Sequence, residues 1–416
     1  MTGEPLPVTA LEHVRICDLS GQLAGAGATK ILAALGAEVI RVENPRNQGR
    51  WDMMRMVGPY VDERQGPNLG VGFNNHNVGK LGVTVDIADP RGKEVFSDLV
   101  RISDVVTENF AAGVMDRLGF GYEQLRALRP DVIYVSSSGF GADGPYREFK
   151  TWGPIVQAMS GLTFTSGLPD AEPAGWGYSY MDHLGAYVMA LAVLVGLHAR
   201  DATGEGQWVD LATTEAALTL HGPALLDWTV NGRGRRRPGQ PNGNHAAYDE
   251  MAPHSIYPAL GDDRWVAIAC RDDDDWTRAA GVVGAWAQNR RWATLAGRLE
   301  NQDELDARIA TWTATRDAEE AARALVAVGV PASAVRRPPE RIDGDPDVAG
   351  WSLFPEVTHP EIGRVRVEGL PIHLSETDWA IPSAAPCLGQ HTDYVLGELL
   401  GRDAGTIEEL RAAGVV

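Results

Sequence analysis

Residues 14–43 read VRICDLSGQLAGAGATKILAALGAEVIRVE, and this stretch decides the fold class. An apolar strand pattern, VRICDL, is followed by a run of small residues, SGQLAGAGA. A helical pattern, TKILAALG, and a second strand pattern, AEVIRVE, come next. A strand, a helix and a second strand in this order are typical of a parallel sheet covered by helices. The stretch therefore predicts an α/β protein that begins like a nucleotide-binding fold.

The same alternation of strand and helix patterns continues downstream. The predicted elements are a helix around Arg91–Ile102, a strand in DVVTEN (104–109), a helix in YEQLRALR (122–129), a strand in DVIYVSSSGFG (131–141), a long helix over Asp182–Arg200 and a strand in GQWVDLAT (206–213). Strands that run into glycine-rich turns place loops at the carboxyl edge of a sheet, where open α/β sheets bind ligands. We therefore expect the ligand site at this edge.

A change of composition marks the second half of the chain. The segment NGRGRRRPGQPNGNHAAYDEMAPH (231–254) is rich in glycine, proline, asparagine and arginine, which is typical of a loop and predicts a boundary. Beyond it, HSIYPALGDDRWVAIAC (254–270) predicts a β-hairpin with GDD as its turn. Helical patterns then run to about Val328. The stretches GRVRVEGLPIHL and TDYVLGELLG predict a short return segment and a terminal helix.

Charge and cysteine content exclude several classes of partner. The formal net charge of −19 argues against nucleic acid or an anionic membrane as the main partner, because either surface would repel the chain. Three dispersed cysteines, Cys17, Cys270 and Cys387, form neither a disulfide framework nor a metal-binding pattern. The apolar run Gly185–Leu197 is too short to span a bilayer and predicts a buried helix. We expect a cytoplasmic protein.

Common catalytic patterns are absent from the sequence. Ten histidines include no HExxH pair, so no metal site is predicted, and there is no GxSxG elbow of a serine hydrolase. The run Gly25-Ala26-Gly27 is similar to a dinucleotide fingerprint, but Lys30 stands where the third glycine belongs. We interpret these small residues as packing residues, so a dehydrogenase is not the preferred function.

Two charge clusters have competing interpretations. The arginines Arg233, Arg235, Arg236 and Arg237 could bind the phosphates of an anionic ligand, although a solvated loop is the preferred interpretation. The acidic run 272–275 lacks the spaced ligands of a calcium loop. It predicts instead the N-terminus of a helix, where carboxylates favour the helix dipole.

Asp182 lies between an aromatic run, WGYSYM, and an apolar helix pattern. Taken alone, an aspartate at the start of a helix is usually a cap. If residues 176–182 are extended, Trp176, Tyr178 and Tyr180 share one face with Asp182, and they could form aromatic walls beside its carboxylate. A buried strand face explains the same pattern equally well.

Several ordered blocks resemble one known family over almost the whole length. They are DLSGQLAGAGATKILAALGAEVIRVENP (18–45), SDVVTENFAAGVMDRLGFGYEQLRALRPDVIYVSSSGFGADGPY (103–146), MSGLTFTSG (159–167), MDHLGAYVMALAVLVGLHARDATGEGQWVDLA (181–212), GVPASAV (329–335), DPDV (345–348) and APCLGQHTDYVLGELL (385–400). In these blocks the sequence resembles the class III CoA-transferases, also called the CaiB/BaiF family.

The resemblance implies a fold, an assembly and an activity. The implied fold is a Rossmann-like large domain built from both chain ends, residues 1–224 and 340–416, with a smaller domain inserted over 225–339. Two subunits would interlock as rings in a homodimer. The implied activity is transfer of coenzyme A from an acyl-CoA donor to a carboxylic acid acceptor. The thioester energy is preserved in covalent intermediates, so neither a cofactor nor a metal is expected.

The resemblance also implies individual site residues. The family's catalytic aspartate begins a helix at the position of Asp182, which makes this residue the expected nucleophile. Asn109 and Phe110 match a segment that contacts the nucleotide of CoA. Arg117 matches an arginine that meets the CoA phosphates, and Lys80 is a weaker candidate of the same kind.

The sequence departs from the family pattern at two places. Asn44 stands where relatives often carry arginine or proline, so Arg41 is the candidate to replace a lost contact. Relatives supply oxyanion donors partly from a glycine-rich loop of the small domain. The nearest counterpart here is the segment 240–244, QPNGN, which leaves the donors open.

A racemase branch of the same family is the main alternative function. Racemases there use a histidine and an aspartate as opposed acid and base, and Trp152 occupies the position of that histidine. An indole cannot exchange protons as an imidazole does. His183, beside Asp182, is the nearest substitute. We prefer a transferase; a non-catalytic subunit of a hetero-oligomer is a third possibility, which the presence of the aspartate weakens.

Overall fold

The computed structural model describes residues 9–234, 243–246 and 250–416. Its strands are Arg15–Asp18 (β1), Glu38–Glu43 (β2), Leu81–Thr84 (β3), Val105–Glu108 (β4), Ile133–Ser138 (β5), Gln207–Ala212 (β6), His254–Pro258 (β7), Trp265–Ala269 (β8), Ala332–Ala334 (β9), Glu356–His359 (β10) and Gly363–Arg366 (β11).

Helices connect most of these strands. They are Ala24–Ala34 (α1), Val71–His76 (α2), Pro90–Arg101 (α3), Val114–Leu118 (α4), Tyr122–Leu128 (α5), Gly153–Met159 (α6), Leu162–Thr165 (α7), Tyr180–Thr203 (α8), Thr213–Leu218 (α9), Gly222–Asn231 (α10), Asp273–Val283 (α11), Leu295–Glu300 (α12), Gln302–Thr313 (α13), Ala318–Val326 (α14), Pro338–Gly344 (α15), Pro346–Gly350 (α16), Thr392–Tyr394 (α17) and Ala404–Ala412 (α18). A π-helical turn over Val395–Leu399 continues α17.

The chain divides into two compact units. The first comprises Met1–Gly161, Trp176–Leu220 and Pro346–Val416, and the second comprises Leu162–Gly175 and His221–Asp345. Both chain ends thus belong to one unit. The segment Leu162–Gly175, which the sequence analysis assigned to the large domain, belongs to the second unit. Within that unit a side-chain carbon added at Gly243 would lie 3.6 Å from Leu168.

A parallel sheet of six strands forms the centre of the first unit. Its strand order is β3-β2-β1-β4-β5-β6, and all neighbouring strands are parallel. The α/β prediction is therefore confirmed. Because the strand order reverses beside β1, the loops after β1 and β4 diverge at the carboxyl edge and leave a crevice between them.

Side chains of alternate strand residues pack into two hydrophobic cores, one on each face of the sheet. Ile16 and Val105 pack in the core that includes Met189 of α8, whereas Cys17 and Val106 pack in the core that includes residues of α3 and α18. Each fully buried aliphatic side chain contributes roughly 1.5–3 kcal/mol relative to exposure. Apolar strands of this kind are stable only with helices on both faces, as observed.

Helix α1 begins earlier than the sequence pattern predicts. The small residues 24–28 form its first turns rather than a preceding turn. A side-chain carbon added at Gly27 would lie 3.0 Å from Cβ of Ala186 on α8. The glycine-alanine run therefore permits close packing of α1 on α8, which agrees with the packing interpretation of the fingerprint-like sequence.

Helix α8 is longer than the apolar run that predicted it. With 24 residues it is, among the described residues, a helix long and apolar enough to cross a membrane by length and composition. The expectation that it is too short is therefore wrong. However, 44% of its most apolar window is buried, and Met189 and Val193 belong to the core of the sheet. This packing is that of a core helix in the first unit.

The second unit contains an antiparallel sheet in the order β7-β8-β9. The predicted hairpin is confirmed, and its turn includes Gly261 and Asp263 with positive φ. The acidic run forms the N-terminus of helix α11, as predicted. The side chain of Asp272 caps the helix by accepting a hydrogen bond from the backbone of Asp275. In the arginine cluster, Arg233 is exposed and lies 3.4 Å from Asp227, while residues 235–237 lie outside the described residues.

A buried ionic network lies at the carboxyl ends of β1 and β2. Arg55 donates two hydrogen bonds to Glu43, of 2.9 and 2.6 Å, and its guanidinium lies over the ring of Phe73. Arg41 donates to Asp52 at 2.5 Å. All four charged side chains are buried. Burial alone would raise the pKa of Glu43, but Arg41 and Arg55 outweigh it and lower that pKa.

We predict that Glu43→Gln destabilises the fold by about 3–5 kcal/mol, because it leaves a buried guanidinium without its counter-charge. Since the pKa of Glu43 is lowered in the folded chain, this stabilisation is present at neutral pH and is lost as the pH falls through the folded pKa. Urea unfolding followed by circular dichroism measures both effects. Glu356→Gln, which removes an exposed partner of Arg364, is the control and should leave the midpoint nearly unchanged. Equal midpoints for the two variants would contradict the role of the network.

Candidate functional site

A cavity of about 740 Å³ opens at the carboxyl edge of the six-stranded sheet. Each of the six strands is followed directly by a residue that lines the cavity: Leu19, Asn44, Val85, Asn109, Gly139 and Thr213. Loops after all six strands therefore build its walls, at the edge where open α/β sheets bind ligands. The volume suits a small organic ligand.

Asp182 lines this cavity from the first turn of α8. The hydroxyl of Ser179, the residue that precedes the helix, favours the charged form of this carboxylate and so lowers its pKa. Burial raises the pKa of Asp182, and the Ser179 hydroxyl and His183 oppose this shift. Desolvation makes a carboxylate more reactive toward an electrophile than it is in water, so the environment suits a nucleophile as well as a cap.

His183 points away from the cavity, although it follows Asp182 directly. Its Nε2 lies 2.9 Å from the hydroxyl of Tyr178, whose ring stacks on the imidazole at an interplanar angle of 8°. The ring of His76 packs beside it at 5.6 Å. No histidine occurs among the described residues that line the cavity. Trp152, at the position of the racemase histidine, is half exposed and lines the same cavity as Asp182.

Asn109 and Phe110 line the same cavity as Asp182. The side-chain amide of Asn109 is committed to the backbone of Gly21, from which it accepts at 2.8 Å and to which it donates at 3.0 Å. Phe110 meets Trp51 edge to face at 5.1 Å between ring centroids. Asn109 thus fixes the loop after β1, while Phe110 offers a ring face to the cavity.

Arg117 lies in a neighbouring cavity of about 500 Å³ rather than beside Asp182. The two cavities share Phe110, Ala112, Ser138 and Arg147 in their walls. Arg117 is exposed, and its guanidinium has no ion-pair partner within the described ranges. An uncommitted guanidinium can bind a phosphate with two parallel hydrogen bonds.

The buried carboxyl group of Glu108 is part of the lining of this second cavity. Glu108 accepts hydrogen bonds from the backbone of Phe110 at 2.6 Å and from the hydroxyl of Tyr134 at 2.9 Å. Burial raises the pKa of Glu108 to about 7. Glu108 is therefore partly protonated at neutral pH, while Asp116, Glu123, Glu148 and Asp210 line the same cavity.

Lys80 and Arg41 do not reach either cavity, contrary to their suggested role in ligand contact. Lys80 is fully buried and donates to the carbonyl of Ala26 and to the side chains of Thr29 and Asn77, at 2.7–2.9 Å. Arg41 is equally buried in the ionic network with Asp52. Both side chains are therefore bonded within the protein, although Nε of Arg41 is buried without a hydrogen-bond partner.

The aromatic face proposed for residues 176–182 does not form, because α8 already begins at Tyr180. Neither Trp176, Tyr178 nor Tyr180 lines the cavity. Its aromatic wall residues are instead Trp51, Phe110, Phe149 and Trp152. No periodic sequence signal indicates them, since they come from three separate loops, after β2, β4 and β5.

Two cations and a glutamine also line the cavity, although the sequence did not predict them as site residues. Arg147 and Lys150 line it from the loop between β5 and α6. Gln22 follows β1 with φ of +59° and donates to the carbonyl of Trp51 at 3.1 Å. The run YREFK after a glycine-rich strand end is the signal that could have indicated the two cations. Of the candidate oxyanion segment, residues 240–242 lie outside the described residues.

The described residues contain no group of three or more side chains that could hold a metal ion. The fold and the cavity thus define an α/β protein with a carboxylate facing a ligand-sized crevice at the carboxyl edge of its sheet. The model of CoA-transferase family III matches residues 11–392, and the chain belongs to this family.

Similar proteins of known name cover nearly the whole chain. A succinyl-CoA–D-citramalate CoA-transferase of Chloroflexus aurantiacus is 34% identical over 99% of both chains. A succinate–glutarate CoA-transferase of Agrobacterium fabrum is 32% identical over 96% of this chain and 98% of its own. The crystal structure of a CaiB/BaiF family protein from Brucella suis, 28% identical, superposes with a TM-score of 0.83 over 94% of this chain and all of its own.

We predict that Arg117→Ala weakens the binding of CoA by roughly 1.5–3 kcal/mol, the scale of a lost hydrogen bond to a charged group. Isothermal titration calorimetry with free CoA measures the change. Arg126→Ala, on the exposed surface of α5, is the matched control and should bind CoA like the unmodified protein. If both variants bind CoA equally well, Arg117 does not meet a phosphate.

Proposed function

We propose that this protein transfers coenzyme A from an acyl-CoA donor to a carboxylic acid acceptor, with Asp182 as the nucleophile. The observation that carries the proposal is the half-buried Asp182 carboxylate in the wall of the carboxyl-edge cavity. Membership of CoA-transferase family III supports the reaction class. The single carboxylate at this position can act both as helix cap and as nucleophile.

The donor half of the reaction consumes the thioester. An oxygen of the Asp182 carboxylate attacks the thioester carbonyl, the carbon–sulfur bond breaks, and CoA leaves as a thiolate. A mixed anhydride of the acyl group and Asp182 remains. The thiolate then attacks the aspartyl carbonyl and releases the donor acid, so that Asp182 becomes a thioester of CoA. Covalent catalysis of this kind conserves the thioester bond energy.

The acceptor half of the reaction reverses these steps. The acceptor carboxylate attacks the aspartyl thioester and expels the CoA thiolate, which forms a second mixed anhydride. The thiolate then attacks the acyl carbonyl of that anhydride. The products are the new acyl-CoA and a regenerated Asp182 carboxylate that carries one oxygen from the acceptor acid. Both anhydrides are sensitive to water, and the apolar walls that include Trp51 and Phe110 would exclude it.

The cations around the two cavities support the binding of CoA. The chain carries a net charge of −19, so an anionic ligand needs local positive charge. Arg147 and Lys150 supply it in the cavity of Asp182, and Arg117 supplies it in the adjoining cavity. In this proposal the thioester lies beside Asp182, and the nucleotide end extends toward Arg117 past the ring of Phe110.

The names of the relatives guide the choice of substrates. They act on succinyl-CoA and D-citramalate, or on succinate and glutarate, and another relative of 30% identity is named a formyl-CoA:oxalate CoA-transferase. We therefore propose small carboxylic acids as acceptors and succinyl-CoA as the first donor to test. No observation favours the racemase alternative, since Trp152 stands at the position of the racemase histidine and His183 is held by Tyr178.

The proposed active form is a homodimer in the cytoplasm. On α8 the side chains of Tyr187, Leu191 and Val195 recur every four residues and are each more than half exposed. Such an apolar stripe on a core helix is typical of a surface that another chain covers. The thiols of Cys17 and Cys270 are free and buried, which suits a reducing compartment.

We predict that Asp182→Asn stays folded and still binds CoA but loses transfer, because an amide keeps the shape of the side chain and cannot form an anhydride. Incubation with succinyl-CoA and then hydroxylamine should convert the activated Asp182 into a hydroxamate. Peptide mass spectrometry detects this product in the unmodified protein and should find none in the variant.

The matched control is Asp201→Asn at the other end of α8, where the carboxylate is exposed. This variant should transfer CoA and form the hydroxamate at Asp182 like the unmodified protein. Transfer by Asp182→Asn at an undiminished rate, or a hydroxamate on a different acidic residue, would leave Asp182 as a helix cap only.

A further inference from the structure

The carboxylate of Asp182 occupies the space beside Gly153 that a side chain would need. A side-chain carbon added at Gly153 would lie 2.7 Å from Oδ2, 3.1 Å from Cγ and 3.4 Å from Oδ1 of Asp182. The whole carboxylate therefore lies over the position that a side chain at residue 153 would occupy. Gly153 is buried at the first position of α6, where the missing side chain leaves room for the nucleophile.

Ser179 is the second neighbour that limits the position of the Asp182 carboxylate. It sits at the N-cap position of α8, and its hydroxyl favours the charged form of the carboxylate. The carboxylate is thus confined between a hydroxyl on its own helix and the backbone of a second helix. Both neighbours limit the positions that the carboxylate can occupy in the wall of the cavity.

We propose that Gly153 is a positioning residue for the Asp182 nucleophile. This inference rests on the proposed function and adds to it a second element, α6, that sets the attack geometry. Any side chain at residue 153 would push the carboxylate away, because the end of a flexible side chain yields more easily than the helix backbone. Misplacement of a reacting group by about 1 Å can reduce the rate by up to 10²-fold.

The backbone at Gly153 does not itself demand glycine. Its φ is not in the left-handed region, so alanine is allowed there apart from the restriction that Pro154 places on the preceding residue. The same arrangement occurs at Gly222, which begins α10 and precedes Pro223. A side-chain carbon at Gly222 would meet nothing within 4 Å, and the residue is exposed. Gly222→Ala therefore carries the same local backbone cost without touching Asp182.

The test compares Gly153→Ala with Gly222→Ala and with Asp182→Asn. We expect Gly153→Ala to lower kcat by roughly 10–100-fold, to slow hydroxamate formation at Asp182 equally, and to leave KM for succinyl-CoA and the affinity for free CoA within about twofold. Gly222→Ala should match the unmodified protein. A merely structural role of Gly153 would instead lower the urea midpoint and change CoA affinity together with kcat.

The outcomes separate this inference from the proposed function. Full kcat in Gly153→Ala, with Asp182→Asn inactive, would overturn the positioning role and leave the nucleophile in place. Full activity of Asp182→Asn would overturn the nucleophile itself and with it the reason for the role of Gly153. Loss of kcat in Gly153→Ala with an unchanged urea midpoint supports the inference.

Discussion

The buried ions at the carboxyl ends of β1 and β2 are the constraint on which the site depends. Asp18 ends β1 and accepts hydrogen bonds from Ser20 and Thr29, while Lys80 approaches it at 3.5 Å. Charges out of contact with water are tolerated only when they are paired and hydrogen-bonded. Two of the bonded residues, Ser20 and Asp52, lie in the loops after β1 and β2, and other residues of these loops line the cavity. The pairing therefore fixes these loops, at the cost of burying several charges in place of apolar side chains.

Loops fixed in this way, together with close helix packing, allow a common fold to position a reactive carboxylate. Small residues of α1, among them Gly27, allow α8 to approach closely, and the start of α8 is thereby held at the edge of the crevice. Ser179 and Gly153 then limit the freedom of the Asp182 side chain. Each step is a packing or hydrogen-bonding constraint of ordinary size. Together they place one desolvated carboxylate where the loops of six strands converge.

The sequence predicted the sheet, the carboxyl-edge site and the hairpin of the second unit because apolar periodicity and glycine-rich strand ends are local signals. It could not predict the start of α1 at Ala24, since a run of alanine and glycine carries no periodicity. The family resemblance suggested Lys80 and Arg41 as ligand contacts. The sequence does not reveal that both are buried, because burial of a charge depends on distant partners such as Asp18 and Asp52. The contact of Gly153 with Asp182 joins two helices and has no local signal.

The central claim is that Asp182 exchanges an oxygen with its substrates. In the proposed mechanism the acceptor carboxylate leaves one of its oxygens on Asp182 when the new acyl-CoA forms. A single turnover of the aspartyl-CoA protein with an acceptor acid labelled at both carboxylate oxygens with ¹⁸O should therefore raise the mass of the Asp182 peptide by about 2 Da, the isotope difference of one oxygen. Complete formation of the new acyl-CoA without label in that peptide would contradict the account.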